Sequence, residues 1–233
     1  MNQSLRTSAA HVFVDDITAP HLHADDFVHL SRSLRLRDGE NVSASDGNGS
    51  WRLCVWRGDE QLDVIGDVIT ERNIGSQLTV ALSPVKGDRT DVAVEKMTEI
   101  GIDHIIVLAP LQRSVVRWDE HKSAHNIERL GRIARAAAMQ SRRVFLPRVV
   151  GPASLTAVLS GPSCAVADPA GTTDLGTLQT IVIGPEGGFD PSELHADTPC
   201  VSLGRSILRA ETAAIVAATL MVAHRARQSD HTG

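Results

Sequence analysis

Residues 11–72 alternate apolar and polar positions in short runs that end at turn residues. Strands are predicted over 11–15, 41–45, 51–57 and 61–70, and a helix over 24–34. The strand over 41–45 leads into Asp46-Gly-Asn-Gly49, a sequence typical of a hairpin turn. This part of the chain is therefore expected to form a small β-rich module of the barrel kind.

After Gly75 the pattern changes to short apolar strands that alternate with helices. Strands are predicted over 77–83, 104–109, 163–167, 180–184 and 200–203, and helices over 89–100, 124–140 and 210–227. Gly101 stands where a left-handed residue ends the first of these helices. The alternation favours an α/β fold with a mostly parallel sheet covered on both faces. Two domains are expected, 1–73 and 76–233.

The composition is that of an ordinary globular chain, with 42% apolar and 22% charged residues among 233. The longest nearly uncharged apolar run, Ala213–Ala223, is shorter than the roughly twenty residues of a membrane span, so no membrane association is expected. The start of the chain lacks a signal-peptide pattern. Cys54, Cys164 and Cys200 lie far apart with no C-x-x-C, which predicts neither a disulfide framework nor a metal site and favours the cytoplasm.

Positive charge is concentrated in one segment, although the net charge is −5. The segment 129–148 contains six arginines and no acidic residue. Arg129, Arg132 and Arg135 recur every third residue and therefore lie on neighbouring positions of one helix face. Such a face either holds a polyanion such as RNA or is simply solvated.

Two glycine-containing loops follow predicted strands in the second half of the chain. The first lies in 181–189 and contains Gly184, Gly187 and Gly188, and the second turns through Gly204 before a helix. Ligands of open parallel sheets bind at the carboxyl ends of the strands, and glycine lets the backbone approach a ligand closely. Neither G-x-G-x-x-G nor a P-loop is present. The loops are either tight turns or the walls of a small-molecule pocket.

The two loops resemble the paired signature of a known family. Ile183-Gly-Pro-Glu-Gly-Gly-Phe189 and Leu203-Gly-Arg-Ser-Ile-Leu-Arg-Ala-Glu-Thr212 are similar to the RsmE family, the 16S ribosomal RNA uridine N3-methyltransferases of the SPOUT (trefoil-knot) class. Further similar segments, in the same order as in the family, are Lys86-Gly-Asp-Arg89, Glu95-Lys-Met-Thr-Glu-Ile-Gly101, Arg113-Ser114, and Ala136-Ala-Ala-Met-Gln-Ser-Arg-Arg143 with Pro147. The segments over 29–37 and 46–49 resemble the family's N-terminal PUA-like barrel. The resemblance covers nearly the whole chain.

This resemblance implies a homodimer whose C-terminal domain is a trefoil knot around S-adenosylmethionine, and a substrate in 16S rRNA of the small ribosomal subunit. The implied cofactor contacts are Ile183, Gly184, Pro185, Glu186, Gly187, Leu203, Gly204, Ile207, Leu208 and Arg209. The residues implied in RNA binding are Arg32, Arg35, Arg37, Arg113, Arg129, Arg132, Arg135, Gln140, Arg142 and Arg143. No metal is needed, because the sulfonium is already an activated methyl donor.

The implied reaction requires uridine N3 to lose its proton, and this requirement selects the catalytic candidates. Arg209 is expected to stabilise the negative charge that develops on the uracil, unless it pairs with Glu211 or caps the following helix. Glu186 or Glu211 is expected either to accept the proton or to orient the cofactor's amino group.

The chain departs from the family pattern at three places. His11-Val-Phe-Val14 stands where the family has an arginine, Gln112 replaces a glutamate, and Ser206 replaces a basic residue. These changes are expected to affect the handling of RNA more than the cofactor. Two other functions stay open at this stage: a non-catalytic RNA-binding or ribosome-assembly protein, and a knotted methyltransferase acting on transfer RNA or on a ribose 2′-OH.

Overall fold

The computed structural model describes residues 2–73 and 75–230. These residues form two compact units. The first unit contains the chain up to Asn73 together with Ala136–Leu146, and the second contains the remainder. The first unit thus ends at Asn73 and also includes 136–146, which lie within the expected second domain, 76–233. No helix in the described ranges is long and apolar enough to cross a membrane.

The first unit is built on a five-stranded sheet. Its elements are α1 (Gln3–Thr7), β1 (Ala10–Phe13), α2 (Ala24–Val28), β2 (Asn41–Ser45), β3 (Ser50–Val55), β4 (Asp63–Val64) and β5 (Ile69–Thr70). β1 pairs with β2 in parallel, and the other pairings, β2–β3, β3–β4 and β3–β5, are antiparallel. The hairpin turn between β2 and β3 is as expected, and Asp46 Oδ1 accepts hydrogen bonds from the backbone N–H of Asn48 and of Ser50.

Two sequence predictions for this unit are wrong in detail. The strand expected over 61–70 is two separate two-residue strands, β4 and β5. The helix expected over 24–34 ends its α-helical part at Val28 and continues as a π-helical turn over His29–Ser33. The apolar spacing contains no signal for a change in backbone hydrogen bonding, and the residues of both β4 and β5 are exposed.

The segment 136–146 belongs to the first unit because it covers the β2–β3 hairpin. The backbone N–H of Gly49 donates to Val144 O at 3.0 Å, and that of Leu146 donates to Gly47 O at 2.9 Å. Gly49 is required there, because a Cβ would come within 2.6 Å of the Phe145 ring and its φ is +102°.

The second unit is a six-stranded, fully parallel sheet with helices. Its elements are β6 (Thr79–Leu82), α3 (Arg89–Ile100), β7 (His104–Leu108), α4 (Glu120–Gln140), β8 (Arg148–Ala153), α5 (Leu155–Leu159), β9 (Cys164–Thr172), β10 (Thr180–Ile183), β11 (Cys200–Val201) and α6 (Ala210–Asp230). The last turns of α4 belong to the first unit. The strand order is β11-β9-β10-β6-β7-β8. The expected α/β class with a mostly parallel sheet is confirmed.

The core of this unit explains why α3 and α6 lie where they do. Ala93, Val94 and Met97 of α3 are fully buried, and so are Ala214 and Ala217 of α6. Small side chains on α6 allow a close approach between helix and sheet. Gly101 ends α3 in the expected left-handed conformation, with φ +119°. Sequence reasoning missed β8 and the helix α5 that follows it. β8 is only partly buried and contains Gly151 and Pro152.

Candidate cofactor-binding site

The two glycine loops of the second unit border a single cavity of about 340 Å³. This volume lies within the range of small-molecule sites. Its wall is made of Ala167, Asp168, Pro169, Ile183, Gly184, Pro185, Glu186, Gly188, Leu203, Gly204, Ser206, Ile207, Leu208, Arg209, Ala210 and Ala213. The site therefore lies beyond the carboxyl ends of β9, β10 and β11, where open parallel sheets bind ligands.

The first loop leaves β10 and folds back in a tight turn. The backbone N–H of Gly188 donates to Pro185 O at 2.8 Å, and Gly188 has φ +70°. A Cβ at Gly184 would come within 2.9 Å of the Phe189 ring, so the absence of a side chain there lets the loop close. Of the cofactor contacts expected on this loop, Gly187 alone is not part of the cavity wall; its neighbour Gly188 is.

A segment after β7 holds the first loop in place. The backbone N–H of Gln112 donates to Glu193 Oε1 at 2.7 Å, and its side-chain amide donates to Ser192 Oγ at 3.0 Å. Arg113 donates to Gly187 O and pairs with Asp190, each at 3.3 Å. Hydrogen bonds from Ser192, with a smaller contribution from Arg113, hold the pKa of Asp190 below its usual value. Gln112, one of the departures from the family pattern, therefore bonds to the segment that follows the first loop.

The second loop joins β11 to α6 and is the exposed side of the cavity. Gly204 has φ +148°, and a Cβ there would meet no protein atom within 4 Å. Ile207 is 90% exposed although it is apolar and borders the cavity. The backbone N–H of Ala213 donates to Arg209 O at 2.8 Å, so α6 begins directly after Arg209.

A third wall was missed by sequence reasoning. β9 continues to Thr172, well past the expected end at Ala167, and its residues Ala167, Asp168 and Pro169 border the cavity. The extension pairs with β11, where Val201 lies opposite Thr172. A Cβ at Gly171 would come within 2.5 Å of Val201 N, so glycine permits this close approach of two strands. Apolar periodicity ends before this polar stretch and contains no signal for it.

Of the three charged candidates, Arg209 has no side-chain partner among the described residues, whereas Glu186 and Glu211 both face another arginine. Arg209 is exposed and borders the cavity, and its side chain makes no hydrogen bond or ion pair with any residue that the structure describes. Its expected alternative role, an ion pair with Glu211, is therefore not observed. Glu186 borders the cavity, whereas Glu211 does not. Both glutamates face Arg89 of α3, whose nitrogens lie 3.8 Å from Glu186 Oε1 and from Glu211 Oε1.

The RNA-binding candidates of the second unit differ in whether their side chains already bond to other residues of the protein. Arg113 is used by the first cofactor loop, and Arg129 pairs with Asp91. Arg135 is half-buried. Arg132 is exposed and forms no contact of this kind with the described residues. Of these side chains, Arg132 has its donors most available for a phosphate.

In the first unit, some of the arginines bond to the protein itself and others are exposed to solvent. Arg142 donates to the backbone carbonyls of Met139, Ser8 and Ala9, and burial lowers the pKa of its guanidinium. These bonds occupy donors that an RNA phosphate would need. Arg143 is half-buried, whereas Gln140 and the cluster formed by Arg32, Arg35 and Arg37 are exposed. Arg35 adopts φ +53°, which is uncommon for a residue with a side chain.

His11, where the resemblance placed an arginine, is part of the interior of the first unit. It is 2% exposed, its Nδ1 lies 2.8 Å from Ser43 Oγ and its Nε2 lies 3.0 Å from Arg143 O. The His11 ring is therefore buried and bonded within the first unit.

A parallel α/β sheet with an open cavity between glycine loops defines a small-molecule-binding protein, and comparison with known proteins narrows this class. Residues 72–222 match the family model described as the RNA methyltransferase domain. The curated ribosomal RNA small subunit methyltransferase E of Rickettsia conorii is 32% identical over 221 residues, which are 84% of this chain and 86% of that protein. The protein of the same name from Mycobacterium bovis is 30% identical over 215 residues, 83% of this chain and 82% of that protein.

A solved structure shares the fold over most of the chain. The ribosomal RNA small subunit methyltransferase E of Neisseria gonorrhoeae, bound to S-adenosylmethionine, has a TM-score of 0.77 and 22% identity, covering 92% of this chain and 97% of that one. On the family model and the identities together, the chain belongs to the ribosomal RNA small subunit methyltransferase E family, the RsmE family.

Proposed function

We propose that this protein transfers the methyl group of S-adenosylmethionine to uridine N3 in the 16S rRNA of the small ribosomal subunit. The observation that carries the proposal is the cavity between the two glycine loops, found in a chain of the RsmE family. The names of the relatives support ribosomal RNA as the substrate, and the Neisseria structure supports the cofactor. Uridine and its N3 position come from the sequence resemblance.

The cavity has the chemistry that S-adenosylmethionine requires. Its wall combines apolar side chains, main chain at Gly184 and Gly204, and three ionisable groups, Asp168, Glu186 and Arg209. Because a Cβ at Gly204 would meet only open space, the backbone there is accessible to a ligand. The two carboxylates suit a ligand that bears two positive charges. All the predicted contacts except Gly187 border the cavity, and its neighbour Gly188 borders it instead.

The bound cofactor would supply an activated methyl group, and the protein's own residues would prepare the uridine. Arg209, at the rim of the cavity and without an internal partner, would stabilise the negative charge that develops as N3 loses its proton. Each unit by which the N3 pKa falls corresponds to about 1.4 kcal/mol. Glu186 borders the cavity and would accept the proton, whereas Glu211 does not border it. The loops would hold the two reactants in line.

Other features of the proposal come from the resemblance. We propose that the second unit is a trefoil knot of the SPOUT class, that the first unit is a PUA-like RNA-binding barrel, and that the protein acts as a homodimer. A substrate in the small ribosomal subunit places the protein in the cytoplasm. Exposed arginines such as Arg132 and the cluster Arg32, Arg35 and Arg37 would contact RNA phosphates.

The test is methylation of under-modified 30S particles with labelled S-adenosylmethionine, followed by digestion of the RNA and identification of the nucleoside. We expect 3-methyluridine in 16S rRNA. We expect Arg209→Ala to lose this activity, and Arg205→Ala to keep it, because both arginines are exposed in one loop but Arg205 does not border the cavity. Label on transfer RNA or at a ribose would overturn the substrate, and no binding of the cofactor would favour a non-catalytic RNA-binding protein.

A further inference from the structure

Arg89 connects the two cofactor loops from outside the cavity. It is the first residue of α3, and its side chain lies between Glu186 of the first loop and Glu211 in the first turn of α6. Its Nη2 lies 3.8 Å from Glu186 Oε1, its Nη1 lies 3.8 Å from Glu211 Oε1, and its Nε donates to Lys86 O at 3.1 Å. The guanidinium is therefore fixed by its own turn while it faces both carboxylates.

The three charged side chains differ in exposure and in whether they border the cavity. The side chains of Glu211, Arg89 and Glu186 are 14%, 34% and 28% exposed. Glu186 borders the cavity, whereas Glu211 does not. The second oxygen of Glu211, Oε2, is buried and has no hydrogen-bond partner among residues 2–73 and 75–230. Arg89 is thus the nearby counter-charge for a carboxylate that the scaffold otherwise leaves poorly satisfied.

We infer that Arg89 is a positioning residue of the methyl-transfer site, which links the two loops through Glu186 and Glu211, and that Glu211 acts on the site through Arg89 rather than by touching the substrate. The inference rests on the proposed function. Without Arg89, Glu186 and Glu211 would lose the cation that both face, and their repulsion would move the first loop relative to the start of α6. Glu186 would then lose the orientation in which it faces the bound reactants.

The test is a double-mutant cycle on steady-state methylation of 30S particles, with Arg89→Ala, Glu211→Gln and the combination. Breaking half-buried charge pairs leads us to expect about a tenfold fall in kcat/KM for S-adenosylmethionine in Arg89→Ala. Because Glu211 acts through Arg89, Glu211→Gln is expected to have little further effect in the Arg89→Ala background. Lys96→Ala is the matched control, since it removes a cation from exposed ion pairs on the same helix.

Two further measurements separate positioning from a general loss of structure. Millimolar guanidinium ion is expected to restore part of the activity of Arg89→Ala and to leave wild type and Lys96→Ala unchanged. Arg89→Lys is expected to be intermediate, because one ammonium replaces a fork that faces two carboxylates. Thermal unfolding of every variant shows whether the fold is retained.

The outcomes distinguish a failure of the proposed function from a failure of the inference about Arg89. A wild-type protein that neither binds S-adenosylmethionine nor methylates 30S particles overturns the proposed function and with it the inference. An active wild type with an equally active Arg89→Ala variant overturns the inference alone. Additive effects of Arg89→Ala and Glu211→Gln also overturn it, because they would mean that Glu211 acts independently of Arg89. Lack of guanidinium rescue in a folded Arg89→Ala variant overturns the positioning role.

Discussion

Replacing Gly204 by alanine tests whether the backbone of the second loop itself forms the ligand site. Gly204 has φ +148°, a conformation that residues with a side chain rarely adopt, and a Cβ there would meet no protein atom within 4 Å. The cost of the substitution is therefore conformational and not a packing clash. Holding a non-glycine residue in such a conformation costs about 1–3 kcal/mol.

This cost is divided between folding and binding according to how far the free loop relaxes. If the loop keeps its shape, the free energy of unfolding falls by about 1–3 kcal/mol and the cofactor binds normally except for contact with the new methyl group. If the loop relaxes, which its exposure allows, the ligand must restore the strained shape. Since 1.4 kcal/mol corresponds to a tenfold change, the Kd for S-adenosylmethionine then rises by about 5- to 140-fold. We expect the second case, because the flanking residues 205–207 are all exposed.

The assay is calorimetric titration with S-adenosylmethionine, with thermal unfolding measured on the same samples. The matched control is Gly58→Ala, since Gly58 also has a positive φ, +77°, has open space around a Cβ, and lies in a surface turn of the first unit. The control is expected to lose stability without losing affinity. An unchanged Kd in Gly204→Ala, or an equal change in both variants, would refute the assignment of the second loop to the cofactor.

Two other predictions concern stability and reactivity. Arg225→Met is expected to lower the free energy of unfolding by about 3 kcal/mol, because Arg225 pairs with the 8%-exposed Asp103 at 2.5 Å; Lys122→Met, which breaks an exposed pair, is expected to lower it by less than about 1 kcal/mol in the same urea titration. Burial raises the pKa of Cys54 and of Cys164 to about 11, so both thiols should resist iodoacetamide at pH 8 and react faster as the pH approaches that value. The unfolded chain ionises these thiols at lower pH than the folded chain, so stability should fall as the pH rises above about 9. Rapid alkylation of the folded protein at pH 8 would contradict the burial, and equal losses in the two charge variants would contradict the argument from Asp103.

The residues that sequence reasoning placed correctly are those whose local pattern and tertiary role coincide. α3 has an apolar stripe and an end at Gly101, and the structure has the helix at the expected residues. β10 is a run of four β-branched residues directly before the glycine loop, and both loops border one cavity. In these cases the local signal is the same feature that packs against the core.

The residues that sequence reasoning missed depend on contacts between distant segments. Asp168 borders the cavity because β9 continues alongside β11, and a polar stretch such as 168–172 contains no periodicity that predicts this pairing. The segment 136–146 joins the first unit through hydrogen bonds to the hairpin at 47–49, some ninety residues earlier in the chain. Arg89 belongs to a segment that the resemblance identified. Its place between two glutamates depends on how α3, the first loop and α6 pack together, which no local pattern predicts.

The beginning of α6 connects the stability of the second unit to the shape of its cavity. Ala210 and Ala213 border the cavity and also belong to the buried core, so the same small side chains pack the helix on the sheet and form a wall of the site. Near its other end, Arg225 bonds to Asp103 and to the backbone at Ser76 and Gly101. A helix held near both ends positions Glu211 relative to the strands, and Arg209 lies directly before its first residue. The exposed loop before α6 turns through Gly204, whose φ of +148° glycine adopts without strain, so the turn and the helix together bring the backbone to the cavity.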